Sequence, residues 1–205
     1  MARNVRVLAV CGSCDPGSKT MKALRLAAGA VSEAGGDIEV LDLRDYPLPI
    51  LFSPHAPAGS DAAVDAVKAK FREADALLIG SPEYHGSYSG ALKNLLDLMG
   101  FEEFEGKMVA LVGVAGGALG ATNALNHLRT VCRQLHSWVL PDQVSVAHSS
   151  NAFDAAGRPT DAGTAKRLQD LGVQLVKFAL ALASSSTGSS RCKTPEVSSQ
   201  LTAEG

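Results

Sequence analysis

Little in this chain singles out a charge, a cysteine framework or a membrane. Its 205 residues carry 19 Lys and Arg against 21 Asp and Glu, a net charge of −2. No basic cluster is visible, so nothing points to nucleic acid. Four cysteines over this length do not make a disulfide framework. The longest apolar runs are too short to span a bilayer. The first ten residues run straight into a strand pattern without signal-peptide organisation, so the chain reads as cytoplasmic, or as the mature form of a protein imported into an organelle. No internal repeat recurs at a fixed period. What remains is an ordinary globular composition, 46% hydrophobic and 20% charged, in a chain the length of one generous domain. Such a domain buries about 70% of the surface its unfolded chain exposes and needs no metal or disulfide to hold it.

Apolar runs and helical periods alternate along the chain. Strands are expected at 5–11, 38–43, 76–80, 108–114 and 138–146, the last bent at Pro141. Helices are expected at 18–34, from Ser60 onward, at 90–99, 121–136 and 161–183. Ser60 is read as the cap of its helix with Asp61 in the first turn, and Val64, Val67, Phe71 and Ala74 share one face. Residues 46–58 are proline-rich and read as a surface loop. Strands apolar along their whole length are buried on both faces, which implies a parallel sheet covered by helices, a three-layer α/β architecture. Right-handed crossovers leave few topologies, and five strands fit the order 2-1-3-4-5. Residues 1–183 form the expected domain. The tail at 184–205, rich in Ser and Thr, reads as disordered.

In such sheets ligands bind beyond the carboxyl ends of the strands. Three loops lie there, at 12–20, 81–89 and 115–120, all rich in Gly and hydroxyl residues. The first, GSCDPGSKT, joins a strand to a helix. Glycine lets backbone approach a ligand, Ser13, Ser18 and Thr20 offer hydroxyls, and the helix N-terminus favours an anion. A Walker A loop would need Gly where Ser18 stands, and the loop is not GxGxxG. A single phosphomonoester fits better than a nucleoside triphosphate. The plainer alternative is that the serines only cap the helix.

The second loop continues as SPEYHGSYSGALKN over 81–94. It resembles the NADPH-dependent FMN reductase family, whose members carry P-E-Y-N-G-S-x-x-G-x-L-K-N after the third strand. Pro82, Glu83, Tyr84, Gly86, Ser87, Gly90, Leu92, Lys93 and Asn94 match. The first loop is similar to the family's phosphate loop at Gly12, Ser13, Ser18 and Thr20, and Leu128-Arg129 is family-like too. Asp15 stands where the family usually has Arg, and His85 where it usually has Asn.

The resemblance implies a flavodoxin-like fold binding FMN, with NADPH as hydride donor and a quinone, free FMN, an azo dye or an oxidised metal ion as acceptor. It places the phosphate at Ser13, Ser18 and Thr20. The isoalloxazine falls at Pro82, Glu83, Tyr84, His85 and Gly86, largely through backbone, with Gly116 and Gly117 facing it from the other side. Flavin chemistry belongs to the cofactor, so no catalytic side chain is assigned. Tyr88 either gates the ring or packs in the core or at a subunit interface. The resemblance also implies a homodimer or homotetramer, and Leu95, Leu96, Met99 and Phe101 either form its apolar surface or cover the sheet.

Two other functions compete. One is a flavodoxin-like electron carrier or regulatory FMN-binding module without nicotinamide reductase activity. The other is a thioredoxin-like redox pair at Cys11 and Cys14, a C-x-x-C at a strand end; Cys11 and Cys132 also read as small core residues. His127, His136 and His148 lack metal-ligand spacing. Asp42, Asp45, Glu102, Glu103 and Glu105 read as solvated charge.

Overall fold

A computed structural model describes residues 4–186. In chain order the elements are β1 Arg6–Cys11, α1 Lys19–Glu33, β2 Asp37–Asp42, α2 Ser60–Glu73, β3 Ala76–Tyr84, β4 Ser87–Tyr88, α3 Gly90–Leu98, α4 Phe101–Phe104, β5 Met108–Val114, α5 Thr122–Gln134, β6 Trp138–Val146 and α6 Ala162–Ser186. The sheet runs β2-β1-β3-β5-β6, all parallel, and β4 folds back antiparallel on β3. Apart from β4 this is the expected order. A two-residue strand carries too little pattern to be read from sequence.

Side chains of a strand alternate between faces, and here both faces are covered. Val7, Ala9, Leu78 and Val112 pack with Leu24, Leu171 and Leu175 of α1 and α6. Leu8, Val10, Ile79 and Leu111 pack with Phe71, Leu92, Leu95 and Leu128 of α2, α3 and α5. That is why β1, β3 and β5 read as continuous apolar runs, whereas edge strands β2 and β6 mix buried with exposed positions. The bend at Pro141 coincides with a register shift between Val109 and Leu111 of the neighbouring strand; proline donates nothing to a ladder and is tolerated at such an irregularity on an edge. On the α1–α6 side, Gly172 lets the helices touch: a Cβ there would lie 2.3 Å from the Ala27 carbonyl oxygen.

Two expectations need correction, and one open alternative is resolved. Ser60 does not cap α2; Gly59 does, with φ 77° and no side-chain bond, and Ser60 is buried as the first helical residue. Glu103 is not solvated. It is 2% exposed, in the one-turn α4; one oxygen accepts the Gly100 N–H at 2.7 Å, and the other meets Arg72 Nε at 2.8 Å in an ion pair without hydrogen-bond alignment. Leu95, Leu96 and Met99 are buried on the sheet, and only Phe101 of that group is exposed. Helix α6 continues through Ser186; the rest of the tail expected from 184 onward lies outside the described residues.

Candidate functional site

The three expected loops converge on one pocket of about 100 Å³, lined by Ser13, Lys19, Thr20, Glu83, Gly116 and Ser149 among others. It is too small to enclose a nucleotide. It suits a phosphate end, with the rest of a ligand lying across the open loops.

The first loop leaves its donors available. The Ser18 hydroxyl accepts the Met21 N–H at 3.1 Å, so the plainer capping role is real. Its only other contact is the Cys11 sulfur at 3.9 Å, a weak partner, so its proton is not strongly held. Ser13, Ser18 and Thr20 are all buried. Among the described residues no hydrogen bond is made by the Thr20 hydroxyl or by the Lys19 and Thr20 amides, the orphan donors of a helix start. Asp15 is exposed and turned on its own loop, where its carboxylate accepts the Gly17 N–H at 2.8 Å and its carbonyl accepts the Ser18 N–H at 3.0 Å. The charge is thereby partly compensated, yet it still borders the pocket.

The second loop is a hairpin. Tyr84 pairs with Ser87 and Glu83 with Tyr88, across a turn in which His85 has φ 52° and Gly86 φ 80°. Two successive positive φ values define the type I′ turn, which favours Asn-Gly. His85 is thus selected by backbone conformation, since His tolerates the left-handed region better than most residues, and its ring is exposed. Pro82 is buried, Gly86 half-buried, and Tyr84 is 55% exposed. Tyr88 is half-buried against apolar residues of both the sheet and the third loop. The Ser87 hydroxyl lies 3.0 Å from His127 Nδ1, across to α5.

Struts that sequence reasoning missed hold the loops to one another. The Ser89 hydroxyl accepts the Leu92 N–H, capping α3, and donates to the Gly12 carbonyl; the Ser89 N–H in turn donates to the buried Ser81 hydroxyl oxygen. First and second loops are therefore locked together. Glu83 Oε2 accepts the Ala124 N–H at 2.9 Å in the first turn of α5, tying the second loop to the third, where its charge also suits the helix dipole. Asn94 donates to the Pro49 carbonyl and anchors the 46–58 loop. In the third loop the Ser145 hydroxyl accepts the Ala121 N–H at 2.8 Å. A Cβ on Gly116 or Gly117 would meet nothing within 4 Å, so that backbone is open to an approaching planar group. Only Ser89, a serine just ahead of a helical pattern, left a readable signal.

The cysteine pair fails as a redox centre. Cys11 is buried, and burial pushes its thiol up. Cys132 is pushed up to about 12 for the same reason. Reactive thiols need the opposite shift. No group of three or more His, Cys, Asp or Glu among the described residues could hold a metal.

Orphan first-turn amides, buried hydroxyls and Lys19 at one end, with a backbone-walled slot at the other, fit FMN. Phosphate charge answers the helix start, and a flat ring answers the Gly116–Gly117 backbone. The fold and site thus define a flavodoxin-like α/β flavoprotein. Residues 5–151 match the NADPH-dependent FMN reductase family, and the chain belongs to it, as an FMN-dependent oxidoreductase using NAD(P)H. It is 37% identical to an FMN-dependent NADPH-azoreductase of Staphylococcus saprophyticus over 141 residues, 67% of this chain and 74% of that protein. It is 36% identical to an NAD(P)H-dependent FMN reductase of Pseudomonas aeruginosa over 167 residues, 78% of this chain and 88% of that one. Among solved structures, the flavoenzyme NAD(P)H:(acceptor) oxidoreductase of Paracoccus denitrificans superposes with a TM-score of 0.68 at 25% identity, over 85% of this chain and 97% of that one.

Proposed function

We propose that this chain passes electrons from NADPH to a small oxidised acceptor, a quinone, an azo compound or free FMN, at the mouth of the three-loop pocket. The single observation that carries the reading is the pocket's polarity: uncommitted anion donors at the start of α1, and open backbone rather than acid–base side chains at Gly116 and the 82–86 hairpin. Ser13, Ser18, Thr20 and the Lys19 and Thr20 amides hold the phosphate. The backbone of Pro82, Glu83, Tyr84, His85 and Gly86 lies along one side of the ring, and Gly116 along the other. Bound FMN supplies the redox chemistry, taking up and releasing hydride. The chain's residues orient it: Glu83, clamped to α5, fixes the width of the slot, and Tyr84, exposed beside it, shields the ring from water.

The chain acts as a homo-oligomer, with Ile50, Leu51 and Phe52 as the contact, since Phe52 is 94% exposed on a loop that Asn94 anchors. It works in the cytoplasm, where thiols such as Cys14 stay reduced. A visible spectrum of the protein with FMN, followed by NADPH without air, tests the reading. The expected result is a bound two-banded flavin spectrum that bleaches. Bound flavin that NADPH leaves coloured would make the chain an electron carrier, and no binding at all would overturn the reading.

A further inference from the structure

One turn along α1 from Lys19, which lines the phosphate pocket, Lys22 and Arg25 border a second and roomier hollow of about 750 Å³. Its opposite wall is residues 155–160 with Ala162, the approach to α6. That wall is preformed. Phe153 and Pro159 pair as an isolated bridge, Asp154 holds both the Arg158 backbone and its guanidinium, and the Thr160 hydroxyl donates to the Asn151 carbonyl. Leu26, Pro159, Ala162 and Ala165 give it an apolar floor.

The charges around the hollow do not balance. Arg158 is paired with Asp154. Asp161 does not line the hollow; it accepts the Thr164 N–H at 2.6 Å and faces Arg167 in a neighbouring pocket. Lys22 and Arg25 have no ion-pair partner among the described residues, and Lys22 stands along the wall, its methylenes within 4 Å of where a Gly157 side chain would begin. Two cations without an ion pair among the described residues, beside an apolar floor and one turn along α1 from Lys19 of the three-loop pocket, match a ligand with an aromatic base and a phosphomonoester.

We propose that this hollow takes the 2′-phosphoadenosine end of NADPH, with Lys22 and Arg25 on the 2′-phosphate and the adenine against Leu26 and Pro159. This rests on the reading above that NADPH is the hydride donor, and it adds the residues that tell NADPH from NADH. Arginine suits a phosphate by its planar fork of donors.

Calorimetric titration with 2′,5′-ADP and with 5′-ADP, with and without FMN, tests it. The protein is expected to bind 2′,5′-ADP about tenfold more tightly than 5′-ADP, which is about 1.4 kcal/mol, and the gap narrows as salt rises because the pair is solvent-facing. The double variant Lys22→Gln, Arg25→Gln closes the gap, and Arg25→Glu reverses it. FMN fluorescence quenching unchanged in these variants shows that the fold and flavin pocket survive. Equal affinity for the two nucleotides, or a gap that persists in the double variant, overturns the proposal. Loss of FMN binding in the unaltered protein would overturn the functional reading instead, and the flavin-free titration still decides this one.

Discussion

At the amino ends of the strands Lys107 is buried, and its ammonium donates to three carbonyls, those of Phe71, Arg72 and Ala74, where α2 ends. Beside it Arg72 pairs with Glu102 and with buried Glu103. At the carboxyl ends, Thr20 is equally buried, yet its hydroxyl and the first-turn amides have no partner among the described residues. One end of the sheet commits most of its polar groups to holding helices together, with Glu103 Oε1 the buried oxygen left without an aligned donor. The other withholds them. A polar atom sealed from water without a partner costs free energy; the Thr20 hydroxyl is not sealed but opens on the pocket, so it is available to a ligand at little cost to the fold.

The largest expected effect breaks the first half of this contrast. Lys107→Ala strands three acceptors at the end of α2. At 1–3 kcal/mol for an unsatisfied buried group, offset in part by no longer burying a charge, stability falls by about 3 kcal/mol in urea unfolding. FMN affinity measured below the transition is unchanged. The Lys107 pKa is lowered, chiefly by burial, so that charge already sits uneasily there. The mirror experiment is Thr20→Val. It removes one hydroxyl of similar shape from the ligand end, so unfolding moves by less than about 0.5 kcal/mol. FMN dissociation rises about tenfold, the worth of one charge-assisted bond. If Thr20→Val instead destabilised the free protein as Lys107→Ala does, the hydroxyl would be structural and the contrast false.

The two ends also differed in how far the sequence revealed them. Ligand loops need unusual residues, so Ser13, Ser18, Thr20 and the 82–94 motif stand out locally. The struts between loops do not, because Ser89 to Gly12 and Glu83 to Ala124 join segments 77 and 41 residues apart. The amino end was misread for the same reason. Glu102 and Glu103 look alike in sequence, and only the placement of Arg72 and Gly100 buries one and exposes the other. Central strands were legible because burial on both faces forces an unbroken apolar run. Ser60 was mistaken for a cap because serine suits that role, whereas the chain uses a left-handed Gly59 one residue earlier.

A smaller effect sharpens the ligand end. Asp15 accepts the Gly17 N–H with its carboxylate but borders the three-loop pocket, where we propose the phosphate sits. Asp15→Asn keeps an acceptor for the Gly17 N–H and removes a negative charge facing a phosphate. FMN is expected to bind roughly threefold tighter at low salt. The gain shrinks at high salt, since exposed charges are screened beyond about 10 Å at 0.1 M. No change at low salt would mean that the Gly17 bond already cancels the charge.

The smallest effect separates backbone from side chain within the pocket itself. His85 and Gly86 both have positive φ, and the turn they form asks for Asn at the first position. His85→Asn is therefore expected to leave FMN affinity unchanged and to raise stability by no more than about 0.5 kcal/mol. His85→Val, β-branched and poorly suited to that region, should lose about 1–2 kcal/mol through strain and widen the slot, weakening FMN. Asparagine keeps the backbone and discards the imidazole; valine discards both. If asparagine alone weakened FMN or shifted the pH dependence of its binding, the imidazole would itself contact the flavin. The hairpin would then belong with Thr20 among the side chains held open for a ligand.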